Sequence, residues 1–591
     1  MSQRHRGVGG VGQSFIGGSL QLARRFRIPA LVCALAVLVC ELVSQPYANM
    51  GVCDDWPYIL MAQKLATTGH FAYNGWAAPM IGWQLYLGAA FVKLFGASAT
   101  AVRMSTLLVA MVLAFLLQRM LVQAKISERN ATIGTLAFVL SPLYLVLAVT
   151  FMTDLEGLFA LVICLYGCLH ALQAKSSRAA IGWLLFAVAT NAGFGTARQI
   201  AWLGILVMVP CTLWLMRGQR RVIAVGAAAM AAGWIFMFAC LQWLKHQPYT
   251  VPEHVLVGRF PVGHAADQLV RTFLDAPFLL LPIVALFLPQ VRKSRPRILA
   301  VSLVLFAGYL FMATYPSHLR GGFLLEPTGG DWIGIHGTYE FSILKGHGPL
   351  LIDRWVQVLF TIIAFGGVYG LIASLASRGA TEATEMPEGI SWKQLSMLLV
   401  PFSVVYALLL VPRAGAYHLT ERYLLGLLVV GLLCMLRYFQ ERIRPQLPTW
   451  CAALVGIMVV YGIVNTHNTF AIDRARVELA NELTAAGVAD TAVDNGWEYN
   501  LSVELRHAGY INTDRIVNPA HAYQPAPPLP AGTCEVNAYD YTPHIQPEYG
   551  ISFEPNECYG PAPFAPVHYS RWLSSEPGTL YVVYYGKPPH P

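Results

Sequence analysis

Charge is scarce in this chain. Asp, Glu, Lys and Arg supply 12% of its 591 residues while 56% are hydrophobic, against roughly 25% charged residues in soluble domains. A soluble globular fold is excluded, and the mean hydropathy of +0.51 predicts a polytopic membrane protein. A basic stripe interleaved with aromatics is missing as well. The formal net charge of +8 comes from small Lys and Arg groups beside apolar runs, so no nucleic-acid partner is expected. The glycine-rich stretch Gly329-Gly330-Asp331-Trp332-Ile333-Gly334 has neither the Lys nor the strand-helix context of a phosphate-binding loop and reads as an ordinary loop.

Other absences narrow the field further. Of eleven cysteines, eight fall in apolar runs as small packing residues. Cys164 and Cys168 are one helical turn apart but lack companion ligands for a metal. Cys534 and Cys558 lie in the polar tail and are candidates for a disulfide in an oxidising compartment, with Cys53 as a third external thiol. No small-x-small cleavage site follows the apolar core Ile28 to Val43, so a retained signal anchor is expected. No internal repeat is visible, which weighs against the rival reading, a transporter or flippase without chemistry.

What the chain does have is apolar runs. Thirteen, each about 17 to 25 residues and long enough to cross a bilayer, lie between 28 and 466. They include 131–150, 200–216 and 269–290, the last carrying Pro277, Pro282 and Pro289 and therefore expected to kink. Every second connection is basic: Arg24, Arg25 and Arg27, then Lys125 and Arg129, and so on to Arg437, Arg442 and Arg444. The positive-inside rule then places residues 1–27 in the cytoplasm and the tail outside. The expected organisation is a cytoplasmic tail 1–27, an all-α transmembrane domain 28–466 and an extracytoplasmic α/β domain 467–591. In the tail, Ile472 to Ala486 reads as the opening helix and Leu580 to Tyr585 as a strand.

The first external loop, 46–100, is too long for a turn. Asp54 and Asp55 precede an amphipathic stretch from Trp56 to Ala66, with Pro57 at its start and Asp55 as a candidate N-cap. Met80 to Leu94 is aromatic, and both stretches read as helices lying on the membrane surface. A second acidic pair, Asp154 and Glu156, opens a later span on the same face, where acids also suit a helix N-terminus. Glu41 sits near the outer end of the first span, without an assigned role.

The order of Asp54-Asp55, Gly69-His70-Phe71, Pro79, Leu94-Phe95-Gly96, Ala101-Val102-Arg103, Ser141-Pro142 and Thr153-Asp154 resembles the GT-C membrane glycosyltransferases. Within them it is similar to the protein O-mannosyltransferase and lipid A aminoarabinose transferase group. The likeness covers roughly 28–220, and again 415–440 through Arg422-Tyr423. Two departures stand out: the second acid is Asp55 rather than Glu, and no Lys lies close to Pro79.

The resemblance implies a GT-C-like fold and inverting transfer of a sugar from a polyprenyl-phosphate donor to a lipid, polysaccharide or protein acceptor at the outer face of the cytoplasmic membrane. Asp54 would act as base, with Asp154 orienting or tuning it and Asp55 beside it. Arg198, Arg422 and His418 are the candidate ligands of the leaving phosphate. The four-residue spacing from His418 to Arg422 would put those two on one helical face. His254, Arg259, Arg320 and Lys345 are weaker external cations. A divalent Mg or Mn held by the paired acids is left open.

Overall fold

The computed structural model describes residues 28–77, 82–251, 260–314, 324–328, 332–338, 343–377, 389–416 and 418–587. The expected cations His254, Arg259 and Arg320, and Pro79, fall outside them. The first apolar run forms α1 (Ile28–Ser44), and the loop after it carries α2 (Trp56–Thr68) and α3 (Trp83–Phe95). Pro57 sits in the first turn of α2, and Gly69 closes it in the left-handed conformation at φ 71°, which glycine adopts without a Cβ penalty.

The bundle continues with α4 (Ala99–Gln123), then α5 (Glu128–Val139) and α6 (Pro142–Ala148), which meet at a 69° bend. The single straight span expected over 131–150 is therefore broken. Ser141 caps α6 by accepting from the Tyr144 N–H, and Pro142 cannot donate back into the preceding turn. Next come α7 (Asp154–Leu172), α8 (Ser177–Phe194), a tight and then widened helical stretch leading into α9 (Val209–Leu215), and α10 (Arg220–Lys245). The proline-rich run breaks as expected. Helix α11 (Val262–Leu279) turns by 70° into the short α12 (Leu281–Val284) and the tight helical stretch after it.

Four spans follow: α13 (Pro296–Thr314), α14 (Arg354–Ala376), α15 (Trp392–Ala416) and α16 (Leu425–Arg442). The last, α17 (Thr449–Ala485), is 37 residues long, or about 55 Å at 1.5 Å per residue. That exceeds the roughly 30 Å hydrocarbon core. The helix expected over 472–486 is thus the C-terminal part of this long helix, and the composition change at 466/467 falls inside one unbroken helix.

Among the described residues nine helices are long and apolar enough to cross a membrane, eleven if each bent pair is one span. Two shorter apolar helices, Ile28–Ser44 and Gln199–Leu215, account for the other two of the thirteen runs. The protein is a multi-pass integral membrane protein. Helix α7 is the central element, with 89% of its apolar window buried, whereas α13 has only 6% buried and is peripheral. Large apolar side chains such as Ile235, Phe238, Val304 and Leu305 point outward, as a lipid-facing belt requires and a soluble surface does not tolerate.

The tail holds α18 (Gly496–Ala508) and a four-stranded sheet in the order β1 (Val493–Asp494), β2 (Tyr549–Ser552), β4 (Gly578–Tyr584), β3 (Val567–Tyr569). Strand β1 runs parallel to β2, and the other pairs are antiparallel. Ile551, Leu580, Val582 and Val567 pack on Ala475, Leu479 and Leu483 of α17, so the end of the long helix serves as the tail's core. Cys534 and Cys558 are joined in a disulfide with Cα atoms 5.8 Å apart, and Cys53 is not part of it.

Candidate active site

Chain topology brings the C-terminal ends of α1, α8 and α15 and the N-terminal ends of α7 and α16 to one side of the bundle, and the candidate residues sit there. The turn before α2 is held by a fully buried ion pair. Arg103 of α4 donates to Asp55 through Nε at 2.8 Å and Nη2 at 3.2 Å, and to the carbonyls of Ala48 and Met50 at 3.0 and 2.6 Å. Asp55 also accepts from the backbone N–H groups of Val52 at 2.7 Å and Phe151 at 3.2 Å. Both its oxygens are therefore occupied and its side chain has no exposure. The expected N-cap of α2 reaches backward instead, stapling the loop after α1 to α4 and to the segment that leads into α7.

That staple leaves Asp54, in the adjacent kink at φ −93° and ψ 25°, half-buried on the other side. Its Oδ1 accepts from the indole N–H of Trp497 at 3.2 Å, so α18 of the tail touches this carboxylate. One turn along α2, the Tyr58 hydroxyl is pushed up by burial and feels the charges of Arg198, Arg422, Asp54 and Asp154 together. One phenol thus lies among both acids and two of the cations.

Asp154 is the buried centre of the cationic part. Its Oδ1 accepts from Arg198 Nη1 at 2.6 Å and its Oδ2 from Arg422 Nη1 at 3.4 Å. Arg198 also donates to the Thr153 hydroxyl at 3.2 Å. Its stem lies along Gly157, where a Cβ would stand 3.0 Å from the Arg198 Cδ, tighter than an ordinary van der Waals contact. A third guanidinium completes the group. The Arg198, Arg413 and Arg422 guanidinium carbons lie 5.0, 4.9 and 5.2 Å from the centroid of the Tyr423 ring, and Arg413 donates to the Tyr423 hydroxyl at 2.6 Å. Arg422 also faces Trp332 at 5.6 Å. Three arginines around one aromatic ring, with Asp154 as the carboxylate salt-bridged to two of them, form a cationic patch suited to a phosphate.

Arg413 was not singled out from the sequence. Its place in the last turn of α15, one short connection before Arg422-Tyr423, was the available signal. His418 departs from expectation. Residues 418–420 are not helical, Thr420 is extended at φ −118° and ψ 167°, and the helix begins only at Glu421. His418 and Arg422 therefore share no helical face, and His418 lines a separate cavity with Glu421.

Glu156 is buried and accepts from the Thr106 hydroxyl at 3.1 Å; Glu41 is buried against Ser44. Lys345 pairs with Glu535 of the tail at 3.6 Å, away from the arginine group. Asp55 and Asp154 spend their oxygens on guanidiniums, and among the described residues no three His, Cys, Asp or Glu side chains converge.

No family model matches the chain. Over 211 residues, 34% of its length, it is 29% identical to the undecaprenyl phosphate-alpha-4-amino-4-deoxy-L-arabinose arabinosyl transferases of two Pseudomonas aeruginosa strains, LESB58 and PAO1. The match spans 37% of those relatives' own length. Among solved structures it is similar to ArnT from Cupriavidus metallidurans in the apo state, at 16% identity and a TM-score of 0.40, covering 79% of this chain and 82% of that one. It is also similar to the arabinosyltransferase EmbB from Mycobacterium smegmatis, at 13% identity and a TM-score of 0.32, covering 78% and 42%. In sequence, then, the chain is similar over one third of its length to arabinosyl transferases named for an undecaprenyl-phosphate sugar.

Proposed function

We propose that the protein is a GT-C-type glycosyltransferase that moves a sugar from a polyprenyl-phosphate donor to an acceptor at the outer membrane face. The observation that carries this is that Asp54 and Asp154 reach Tyr58 together with Arg198 and Arg422, while Arg413 joins those two arginines around the Tyr423 ring, in an otherwise apolar bundle. In this reading the acceptor hydroxyl gives its proton to Asp54 and its oxygen attacks the anomeric carbon. The bond from that carbon to the phosphate oxygen breaks with inversion, and its electron pair stays on the phosphate. Arg198, Arg413 and Arg422 hold the growing negative charge in a low-dielectric site. No step needs a divalent cation, because the guanidiniums supply the positive charge.

The transferred group is a pentose or a hexose; the matched relatives are named for a pentose. In this reading the N-terminus lies in the cytoplasm and the tail outside. Alternating basic connections support this, as does a disulfide in the tail, which suits an oxidising compartment. A transport reading gains no support, since the acids and arginines gather at one end of the bundle rather than at its middle.

The test is transfer by the purified full chain from a panel of polyprenyl-phosphate sugars. Asp54→Asn is expected to lower turnover by about 100-fold or more while still binding polyprenyl phosphate. Undiminished transfer by the variant, or no transfer by the wild type with any donor and membrane extract, overturns the reading.

A further inference from the structure

Beside the arginine group lies a cavity of about 320 Å³, within the roughly 300–1,000 Å³ range of small-molecule sites. Its lining residue Glu421 accepts from the Trp332 N–H, and the Trp332 ring lies 5.6 Å from the Arg422 guanidinium carbon. Glu421 lines the cavity and its neighbour Arg422 reaches Asp154, and consecutive Cα atoms are only about 3.8 Å apart.

The floor is polar and buried, which is costly inside an apolar bundle. Gln268, Thr272 and Asp275 of α11 and Thr420 and Glu421 are each under 9% exposed. Most of this floor is internally tied. Thr272 donates to the carbonyls of Gln268 and Leu419, Gln268 accepts from the Leu419 N–H, and Asp275 accepts from the Thr328 N–H and hydroxyl. Thr420 is the exception. It stands at the N-cap of the helix opened by Glu421, where a threonine hydroxyl ordinarily caps, yet it makes no capping bond. Among the described residues its buried Oγ1 has no hydrogen-bond partner. Leaving a buried hydroxyl unpaired is unfavourable, so its presence at a cavity wall calls for a ligand that pairs it.

The chemistry of the lining selects that ligand. Asp267, Asp275 and Glu421 stand against Arg271 and the exposed His418. Three carboxylates against one guanidinium disfavour a second anion, such as a nucleotide or free phosphate. The polar floor disfavours an isoprenoid chain. A ring bearing hydroxyl or amino groups satisfies both conditions, since each such group donates to a carboxylate or to Thr420.

We propose that this cavity, read by Thr420, Asp275 and His418, is the subsite for the sugar ring of the donor, while the neighbouring arginines take its phosphate. The inference rests on the glycosyltransferase reading and assigns His418 to the sugar instead of to the phosphate.

The experiment uses the full chain in nanodiscs and measures binding of three probes: undecaprenyl phosphate, undecaprenyl phosphate-glucose and undecaprenyl phosphate-4-amino-4-deoxy-L-arabinose. The wild type is expected to bind at least one sugar-bearing lipid more tightly than the bare lipid. Thr420→Val is expected to remove about three- to tenfold of that preference and leave the bare-lipid affinity unchanged. His418→Ala, at the exposed rim, provides a second variant with little folding risk and the same expected pattern. If both folded variants keep the wild-type preference, or weaken all three lipids equally, the sugar subsite is overturned while the donor-phosphate reading stands. If the wild type binds no lipid, the glycosyltransferase reading falls and the subsite with it.

Discussion

Asp54 and Asp55 are neighbours in sequence with opposite fates. Asp55 lies wholly within a buried pair with Arg103, four hydrogen bonds ending on its two oxygens. Removing one partner of such a pair leaves an uncompensated buried charge, at a cost of about 3–5 kcal/mol. Asp55→Ala is therefore expected to lower thermal stability and expression together with turnover, whereas Asp54→Asn should lose turnover at near wild-type stability. Thermal unfolding of both variants in detergent separates the two roles, and an Asp55→Ala protein as stable as the wild type would remove the scaffold role. Arg413 makes the complementary prediction. It touches the Tyr423 ring and hydroxyl, so Arg413→Gln should weaken binding of bare polyprenyl phosphate by about tenfold, the order of a lost charge-assisted hydrogen bond. Unchanged affinity in a lipid-binding titration would place Arg413 outside the phosphate site.

Among the elements, α7 carries the most. It is the most buried span, it begins at Asp154, and Gly157 one turn later leaves room for the Arg198 stem. Gly157→Ala sets a methyl 3.0 Å from Arg198 Cδ. It should displace that guanidinium, lowering kcat severalfold while raising intrinsic helix propensity; kcat and thermal stability measured together test this. The bends are the other lesson at this scale. The one in the proline-rich run was legible from its prolines. The bend before α6 was not, because Ser141-Pro142 reads equally as the interior of an apolar run until the cap and the neighbouring helices are seen. His418 and Arg422 illustrate the same limit, since a four-residue spacing means a shared face only where the backbone is helical.

Across the whole molecule, the tail joins the site. Arg476 of α17 holds Asp473 and, on α18, Glu498, both at 3.0 Å. That grip sets the adjacent Trp497 against Asp54. Burial raises the Glu498 carboxyl above its ordinary range, with Arg476 working against the shift. Trp497→Phe keeps an aromatic body among Trp76 and Tyr541 but loses the indole donor. The expected result is an intact fold with a severalfold lower kcat, as the carboxylate loses the hydrogen bond that orients it. A kcat equal to the wild type's, measured beside thermal unfolding of the variant, would leave the tail a purely structural role.

Composition and periodicity alone determined that the chain is a multi-pass membrane protein, where its apolar runs lie and which acids beside those runs merit attention. These are local properties, set by the hydrophobic length needed to cross a bilayer and by charge beside each run. Only the tertiary structure decided which acid is scaffold and which is available, that Arg413 joins Arg198 and Arg422, that His418 faces a different cavity, and that the tail supplies Trp497. Those outcomes depend on contacts between residues hundreds of positions apart, such as Asp54 with Trp497 and Asp154 with Arg422. Burial and partnership arise from packing, and neither spacing nor residue type along the chain contains them.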